Sequence, residues 1–313
     1  MAAFPASLQR PVYSNDSGRG NGFHGLNPDM DALTDIPRYL AAKRRASASG
    51  PAEFLAERAA DELEFRLSLV KRRFESPVSL FGFSGHASDA MTASGTCAQP
   101  LRVEADAAFL KGGPGALAPF GSVPLAPQSA DLIIALLNLH AVDDLPGFLH
   151  QVRQSLRPDG LFLAAIPSAG TLAELRESLL AAEAESGSAH ARVLPFMDLR
   201  DAGALLQRAG FALPVADQET VVVRYRTLRS LMADLRAMGE SSSLASRPRG
   251  MASRSLFEKA ESHYRTHFAD PDGKMRATFN WVWLSGWAPH ESQQKPKARG
   301  SATHSLKSAL EGL

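Results

Sequence analysis

The stretch ADLIIALLNLHAVDDLPGFLHQVRQSLRPDGLFLAAIPS (residues 130–168) decides how the chain is read. It opens on a nearly continuous apolar run, the pattern of a strand that a parallel sheet buries on both faces. Asp143 or Asp144 can then cap a helix, and Pro146 suits its first turn. Phe148, Leu149, Val152 and Leu156 fall on one face of that helix. RPDG is turn chemistry, and LFLAAIPS is a second buried strand. Strand, helix, strand in this order is the right-handed unit from which parallel sheets are built.

The same alternation extends in both directions. Upstream, Phe54, Leu55, Ala59, Leu63, Leu67 and Val70 make one helical face, with Glu62 and Arg66 paired four residues apart. VSLFGFSGHASDAM (residues 78–91) reads as a strand, a glycine-bearing turn and a helix start. PLRVEAD (100–106) suits a short second strand ending in acid, and residues 116–120 a weak third. Downstream, TLAELRESLLAAEAES (171–186) is helical, with Thr171 and Glu174 spaced as a capping box. DLRDAGALLQRAGF (198–211) is a helix stopped by Gly210, and ETVVVRYR (219–226) is a strand. TLRSLMADLRAMG (227–239) is a helix with Leu228, Leu231, Met232 and Leu235 inward. ESSSLASRPRG (240–250) reads as a flexible linker, SLFEKAESHYRTHF (255–268) as a helix, and ATFNWVWLSGWAP (277–289) as a late strand. RYLAAKRRASAS (38–49) suits a short basic helix, either a solvated surface or a patch for an acidic partner. The organisation expected is a flexible leader over residues 1–35, one domain over 36–290 with a helical insertion or lid at 240–270, and a polar tail over 291–313.

Composition narrows the function classes. The 313 residues are 44% hydrophobic and 21% charged, with 34 basic and 33 acidic side chains and a net charge of +1. No global field favours nucleic acid. Cys97 is the only cysteine, so an intrachain disulfide is impossible and a reducing compartment fits. Its setting, TASGTCAQ, suits an incidental thiol better than a nucleophile. No apolar run reaches the roughly 20 residues of a membrane span, and a signal-peptide pattern is lacking at the N-terminus. A cytoplasmic protein is the expectation.

A parallel sheet built first and a strand pair added late resembles the class I S-adenosylmethionine-dependent methyltransferase fold. That resemblance implies an α/β, Rossmann-like, mostly parallel seven-stranded sheet with an antiparallel last strand. In that fold the first strand runs into a turn of the form D-x-G-x-G-x-G. Here the turn is Ser79-Leu80-Phe81-Gly82-Phe83-Ser84-Gly85. Ser79 replaces the acid, Phe81 and Phe83 replace two glycines, and only Gly85 keeps the register. The resemblance assigns Gly82, Ser84 and Gly85 to the amino-acid end of the cofactor. Asp106, with Glu104 as the fallback, would hold the ribose, or Asp106 is simply a helix cap. Pro119 stands where an acid would meet the adenine amino group, and Phe120 could cover the adenine face. Asn138 and His140 end the fourth strand, where His140 could act as a base near neutral pH or merely pack the sheet end.

From His140 onward a narrower resemblance emerges. LNLHAVDDLPGFLHQVRQSLRPDGLFLAAIPSAGTLAELRESLLAAEAE, DAGALLQRAGF, LMADLRAMGES and GWAPHESQQKPKARGSA resemble bacterial relatives of mitochondrial complex I assembly factor five, across about residues 37–305. The family is related to the malonyl-carrier-protein methyltransferase of biotin synthesis. It implies S-adenosylmethionine as cofactor, a protein substrate or respiratory-complex subunit as partner, and, for its mitochondrial branch, arginine hydroxylation. This chain departs from the family at the cofactor turn and at Ala141, where the family carries tryptophan. Asp143 and Asp144 could hold a guanidinium or cap the following helix. Asp144 or His140 would face a methyl acceptor. His290 and Glu291 lie just past the last strand, and Arg299 could meet a partner's carboxylate. Histidine spacing suggests no metal. Two readings follow: a methyltransferase acting on a protein or small molecule, or a non-catalytic binding and assembly factor in which Phe81 and Phe83 fill the cofactor cleft. A third is a fold repurposed for another small ligand.

Overall fold

The computed structural model describes residues 32–185, 187, 190–248 and 250–294. Seven strands form one sheet: β1 (Pro77–Leu80), β2 (Leu101–Glu104), β3 (Ala116–Leu117), β4 (Ala130–Leu136), β5 (Leu156–Pro167), β6 (Ala212–Tyr225) and β7 (Met275–Trp287). Their spatial order is β3-β2-β1-β4-β5-β7-β6. β1 to β5 pair in parallel, whereas β7 runs antiparallel to both β5 and β6. This is the sheet expected, antiparallel strand included.

Burial follows position in the sheet. Every residue of central β4 is buried. Leu132, Ile134 and Leu136 point to one core and Ile133 and Ala135 to the other, the period-two alternation of a strand covered on both faces. Edge strand β6 instead alternates half-buried and exposed positions. The nine α-helices of the described residues are α1 (Ile36–Ala48), α2 (Phe54–Ser68), α3 (His86–Ala93), α4 (Ala107–Leu110), α5 (Leu145–Ser155), α6 (Ala173–Ala184), α7 (Leu199–Arg208), α8 (Leu228–Ala237) and α9 (Arg254–Phe268). α2, α3, α6, α8 and α9 contribute to one core, α5 and α7 to the other. α5 starts where the sequence indicates, with Asp144 accepting from Gly147 N at 2.9 Å.

The late strands are locked to α2 by a polar cluster. Arg66 binds Asp217 bidentately at 2.8 and 2.9 Å and lies over the Trp283 ring at 4.6 Å. Glu219 accepts from the indole nitrogens of Trp281 and Trp283 at 3.1 and 3.2 Å. Both indole donors of this β7 pair are thereby satisfied, as buried polar groups require.

Four local expectations are corrected. The Thr171–Glu174 capping box does not form: Thr171 exchanges hydrogen bonds with the Asn280 backbone, and Glu174 accepts from Thr278 N. Strand β7 takes both side chains, and Leu172 precedes α6 with φ of 52°. RPDG lies inside β5, its turn character reduced to a left-handed Asp159 at φ 62°. The stretch 240–250 is not free linker where it is described: Ser243 and Leu244 are buried, Asp35 N donates to Ser243 O at 2.7 Å, and Leu244 bridges Thr34. α1 is not merely a solvated surface, since Tyr39, Ala42 and Ala46 are buried. Most of the expected leader and tail, residues 1–31 and 295–313, lies outside the described residues.

Phe162 is fully buried on β5 and stacks on Phe211 with centroids 5.6 Å apart. Phe162→Ala is expected to cost about 3–5 kcal/mol in urea unfolding. Phe65 is 57% exposed, and Phe65→Ala should stay within about 0.5 kcal/mol. Equal effects would refute this placement of the core.

Candidate functional site: a cleft with one open and one filled half

In an open α/β sheet, ligands bind beyond the C-terminal ends of the strands where the strand order reverses. Here that point lies between β1 and β4. The loop after β1 holds residues 81–85, and the loop after β4 holds residues 137–144.

The β1 loop keeps the backbone that glycines would adopt while carrying large side chains. Phe81 and Phe83 have φ of 53° and 55°, the left-handed region that costs a residue with a Cβ roughly 1–2 kcal/mol. Their rings go to different places. Phe81 is fully buried in the core on the α5 side, 5.1 Å from the Phe120 ring. Phe83 is half-buried and meets Phe109 at 4.9 Å, Tyr39 of α1 at 5.7 Å and Phe120 at 5.9 Å. Tyr39 also meets Phe120 at 5.5 Å. Each such pair adds about 0.5–1.5 kcal/mol beyond burial, enough to offset the two strained residues. The rings of Phe81, Phe83, Phe109, Phe120 and Tyr39 thus cover the ends of β1 and β2.

Beneath them the acidic group is already used. Glu104 ends β2 with no exposed surface. One carboxylate oxygen lies 2.9 Å from Arg102 Nη2 and the other accepts from Phe83 N at 3.1 Å. Arg102 Nη2 also donates to Ser84 O and Phe109 O at 2.7 and 2.9 Å, tying the β1 loop to α4. Burial raises the Glu104 pKa above the ordinary carboxylate value, against the opposing pull of Arg102. Asp106 stands apart from this group: it caps α4 through Ala108 N at 2.9 Å and pairs with Arg44 at 2.9 Å. Of the two acids suggested for the ribose, Glu104 is thus buried against Arg102, and Asp106 is engaged by the α4 cap and Arg44.

Asn138 spans the switch point itself. Its side-chain nitrogen donates to Leu80 O and Phe81 O at 2.9 and 2.8 Å, and the residue is fully buried. Asn138 is a strap between two loops, and its Oδ1 has no hydrogen-bond partner among the described residues. Gly85 precedes α3, and a Cβ there would lie 3.1 Å from Asp89 Oδ2. Asp143 accepts from Thr34 N at 3.1 Å, and Asp144 is committed to its cap.

The other half of the cleft is open. A cavity of about 1090 Å³ is bordered by Gly82, Phe83, Ser84 and His140 on one side and by α1, α6 and α8 on the other. His140 is 4% exposed at its side chain, with Nε2 3.2 Å from Glu240 Oε2 and Nδ1 buried without a hydrogen-bond partner among the described residues. Glu240 Oε1 lies 2.5 Å from Lys43 Nζ, which also donates to Met238 O and sits 5.2 Å from the Phe83 ring centroid. Burial alone would raise the Glu240 carboxyl, but Lys43 and His140 outweigh it and hold it down at about 2. Burial, then Glu240, pushes the Tyr39 phenol well above its usual range.

The sequence-based candidates thus divide. Gly82, Ser84 and His140 line the open cavity. Asn138, Asp106, Asp144, Gly85 and Phe120 serve the closed side or the local backbone. Tyr39, Lys43, Arg102 and Glu240 were missed. Only Tyr39 left a trace, at spacing i, i+3, i+7 with Ala42 and Ala46. Among the described residues, Glu53, Glu57 and His86 bring possible metal-ligand atoms within 4.8 Å of one another, and of the three Glu53 borders the cavity. His290 is exposed, its Nδ1 2.7 Å from Ser292 Oγ. Arg299 lies outside the described residues.

The polar side chains of the donor half are, as they stand, committed to the protein itself. Glu104 at the end of β2 has both oxygens engaged under a layer of rings, Asp106 just beyond it is held by Ala108 N and Arg44, and Pro119 offers no side-chain acceptor.

Comparison with known proteins agrees with the fold. A family model described as a methyltransferase domain matches residues 57–214, just over half of the chain. The mitochondrial arginine hydroxylase NDUFAF5 of Dictyostelium discoideum is 42% identical over 177 residues, 56% of this chain and 40% of that protein. The malonyl-[acyl-carrier protein] O-methyltransferase of Halorhodospira halophila is 34% identical over 179 residues, 57% of this chain and 59% of that protein. The chain therefore spans about half the length of the curated relatives it matches. Among solved structures, the YcgJ protein of Bacillus subtilis superposes with a TM-score of 0.51 at 14% identity, covering 74% of this chain and 99% of that one.

Glu240 has a lower pKa folded than unfolded, so its contribution to stability is present above the unfolded value of about 4.3 and is lost as pH falls toward about 2. The melting-temperature gap between wild type and Glu240→Gln should shrink as pH is lowered through that window. A gap that stays constant or widens would remove the Lys43–Glu240–His140 cluster as the support of α1.

Proposed function

The chain belongs to the methyltransferase-domain family, and on that premise we propose that it works as a binding and assembly factor, using the acceptor half of the family's cleft. The observation that carries this reading is the sequestered Glu104 carboxylate under the rings of Phe83 and Tyr39. A factor that acts by docking has no need of a donor pocket, and aromatic packing there adds stability instead. The likeness to the NDUFAF5 arginine hydroxylases, and to assembly factor five more widely, supports a respiratory complex I subunit as the partner. A guanidinium is not the favoured ligand, because Asp143 and Asp144 are both committed to backbone nitrogens. The single free cysteine supports a reducing compartment, and we assign the protein to the cytoplasm.

A second reading is methyl transfer from S-adenosylmethionine. Its support is the left-handed backbone at Phe81 and Phe83, which is the conformation a glycine turn would present, together with the family's malonyl-carrier-protein methyltransferases. On that reading α1 must swing off the cleft, carrying Tyr39 with it, before a donor can enter. Catalysis would then rest on placing donor and acceptor in line.

Calorimetric titration with S-adenosylmethionine and S-adenosylhomocysteine separates the two. The binding-factor reading expects no heat for the wild type up to about 1 mM ligand, weaker than about −4 kcal/mol. The Tyr39→Ala, Phe83→Gly double variant should stay folded and still bind poorly, because Arg102 keeps Glu104. Micromolar binding by the wild type would overturn the proposal and establish the second reading.

A further inference from the structure

The open half of the cleft has a chemistry that neither the fold nor the relatives assign. Its volume, about 1090 Å³, is at the upper end of small-molecule sites, which run about 300–1,000 Å³. Its inner wall is apolar: Leu172 just before α6, Leu175 and Leu179 of α6, Met232 and Leu235 of α8, and Phe279 of β7. Protein interiors are packed at crystal density and do not leave apolar bays of this size unfilled without use. The wall therefore calls for an apolar occupant.

The mouth is basic. Among the described residues, six of the eight formally charged residues bordering the cleft are Arg or Lys, against Glu53 and Glu240. Lys43, Arg192 and Arg247 are spent on Glu240, Glu183 and Asp35. Arg38, Arg45 and Arg236 are exposed and have no carboxylate partner among the described residues, Arg38 Nε donating instead to Ser242 O at 3.0 Å. Unpaired guanidinium groups beside an apolar bay select an anion attached to a hydrocarbon body. The chain's own residues 295–313 make a poor occupant, because Lys295, Lys297, Arg299 and Lys307 against Glu311 have the same sign as the mouth.

We propose that this cleft binds an amphipathic anion, a long acyl chain held in the bay between α6 and α8 with its acidic head at Arg45 and Arg236. The inference rests on the reading that the acceptor half is the working half. A bound acyl group would also bridge α1, α6 and α8, coupling occupancy to the helix that covers the donor side.

The test uses the full chain after delipidation, with cis-parinarate as the fluorescent probe and palmitate, methyl palmitate and hexadecylamine as competitors. Parinarate should bind in the micromolar range and palmitate should displace it. Methyl palmitate and hexadecylamine should compete about tenfold less well, the difference of a charge-assisted contact of about 1.4 kcal/mol. The Arg45→Glu, Arg236→Glu double variant changes only exposed side chains and should weaken palmitate about fivefold or more. Leu235→Asp, in the wall, should weaken it further while circular dichroism stays unchanged. Displacement by phosphatidylglycerol vesicles but not by free palmitate would support the same chemistry with a phospholipid source. No probe binding, equal competition by methyl palmitate, or full affinity in both variants would overturn the proposal. Because none of these depends on S-adenosylmethionine, failure here leaves the calorimetric result on the donor half standing by itself.

Discussion

Where β1 and β4 lie side by side, their following loops leave in opposite directions, and the gap between them must be filled. A parallel sheet whose order reverses cannot avoid this gap. The usual solution leaves it for a ligand. In this chain the gap is bridged by Asn138, whose amide reaches the carbonyls of Leu80 and Phe81 at once. With the two loops strapped together, the rings of Phe83, Phe120 and Tyr39 can close over β1 and β2. Glu104 then loses its access to solvent and takes its hydrogen bonds from Arg102 and Phe83 N instead.

The closed side and the open side share one boundary. Phe83 belongs to both, packing on Tyr39 and Phe109 while bordering the cavity. Lys43 and Tyr39 stand one turn apart on α1, so the helix contributes a cation to the Glu240–His140 cluster and a ring to the cover. A displacement of α1 would therefore break an ion pair and an aromatic contact together.

Much of the fold was legible in the sequence. The apolar run at 130–136, the capped helix with Pro146 and the strand LFLAAIPS have strong local periodicity, and burial on both faces leaves few other arrangements for them. Phe81 and Phe83 stand where a cofactor turn would carry glycines, and they do occupy left-handed positions. Their destinations differed, because one ring faces the sheet core and the other faces α1. The capping-box spacing at Thr171 misleads for a similar reason: both side chains are drawn to β7, more than a hundred residues away.

By itself, the sequence determined the strand and helix order, the parallel sheet with its late antiparallel strand, and the loss of the acid and two glycines from the first turn. These are properties of neighbouring residues, set by periodicity and by the φ range each side chain tolerates. Only the tertiary structure decided that Glu104 is buried against Arg102 while Asp106 caps α4, and that Glu240 answers Lys43 and His140 across 197 and 100 residues. The same holds for which half of the cleft stays open. Those outcomes depend on which charges are desolvated together, and no local pattern encodes a pairing between groups that meet only after the chain has folded.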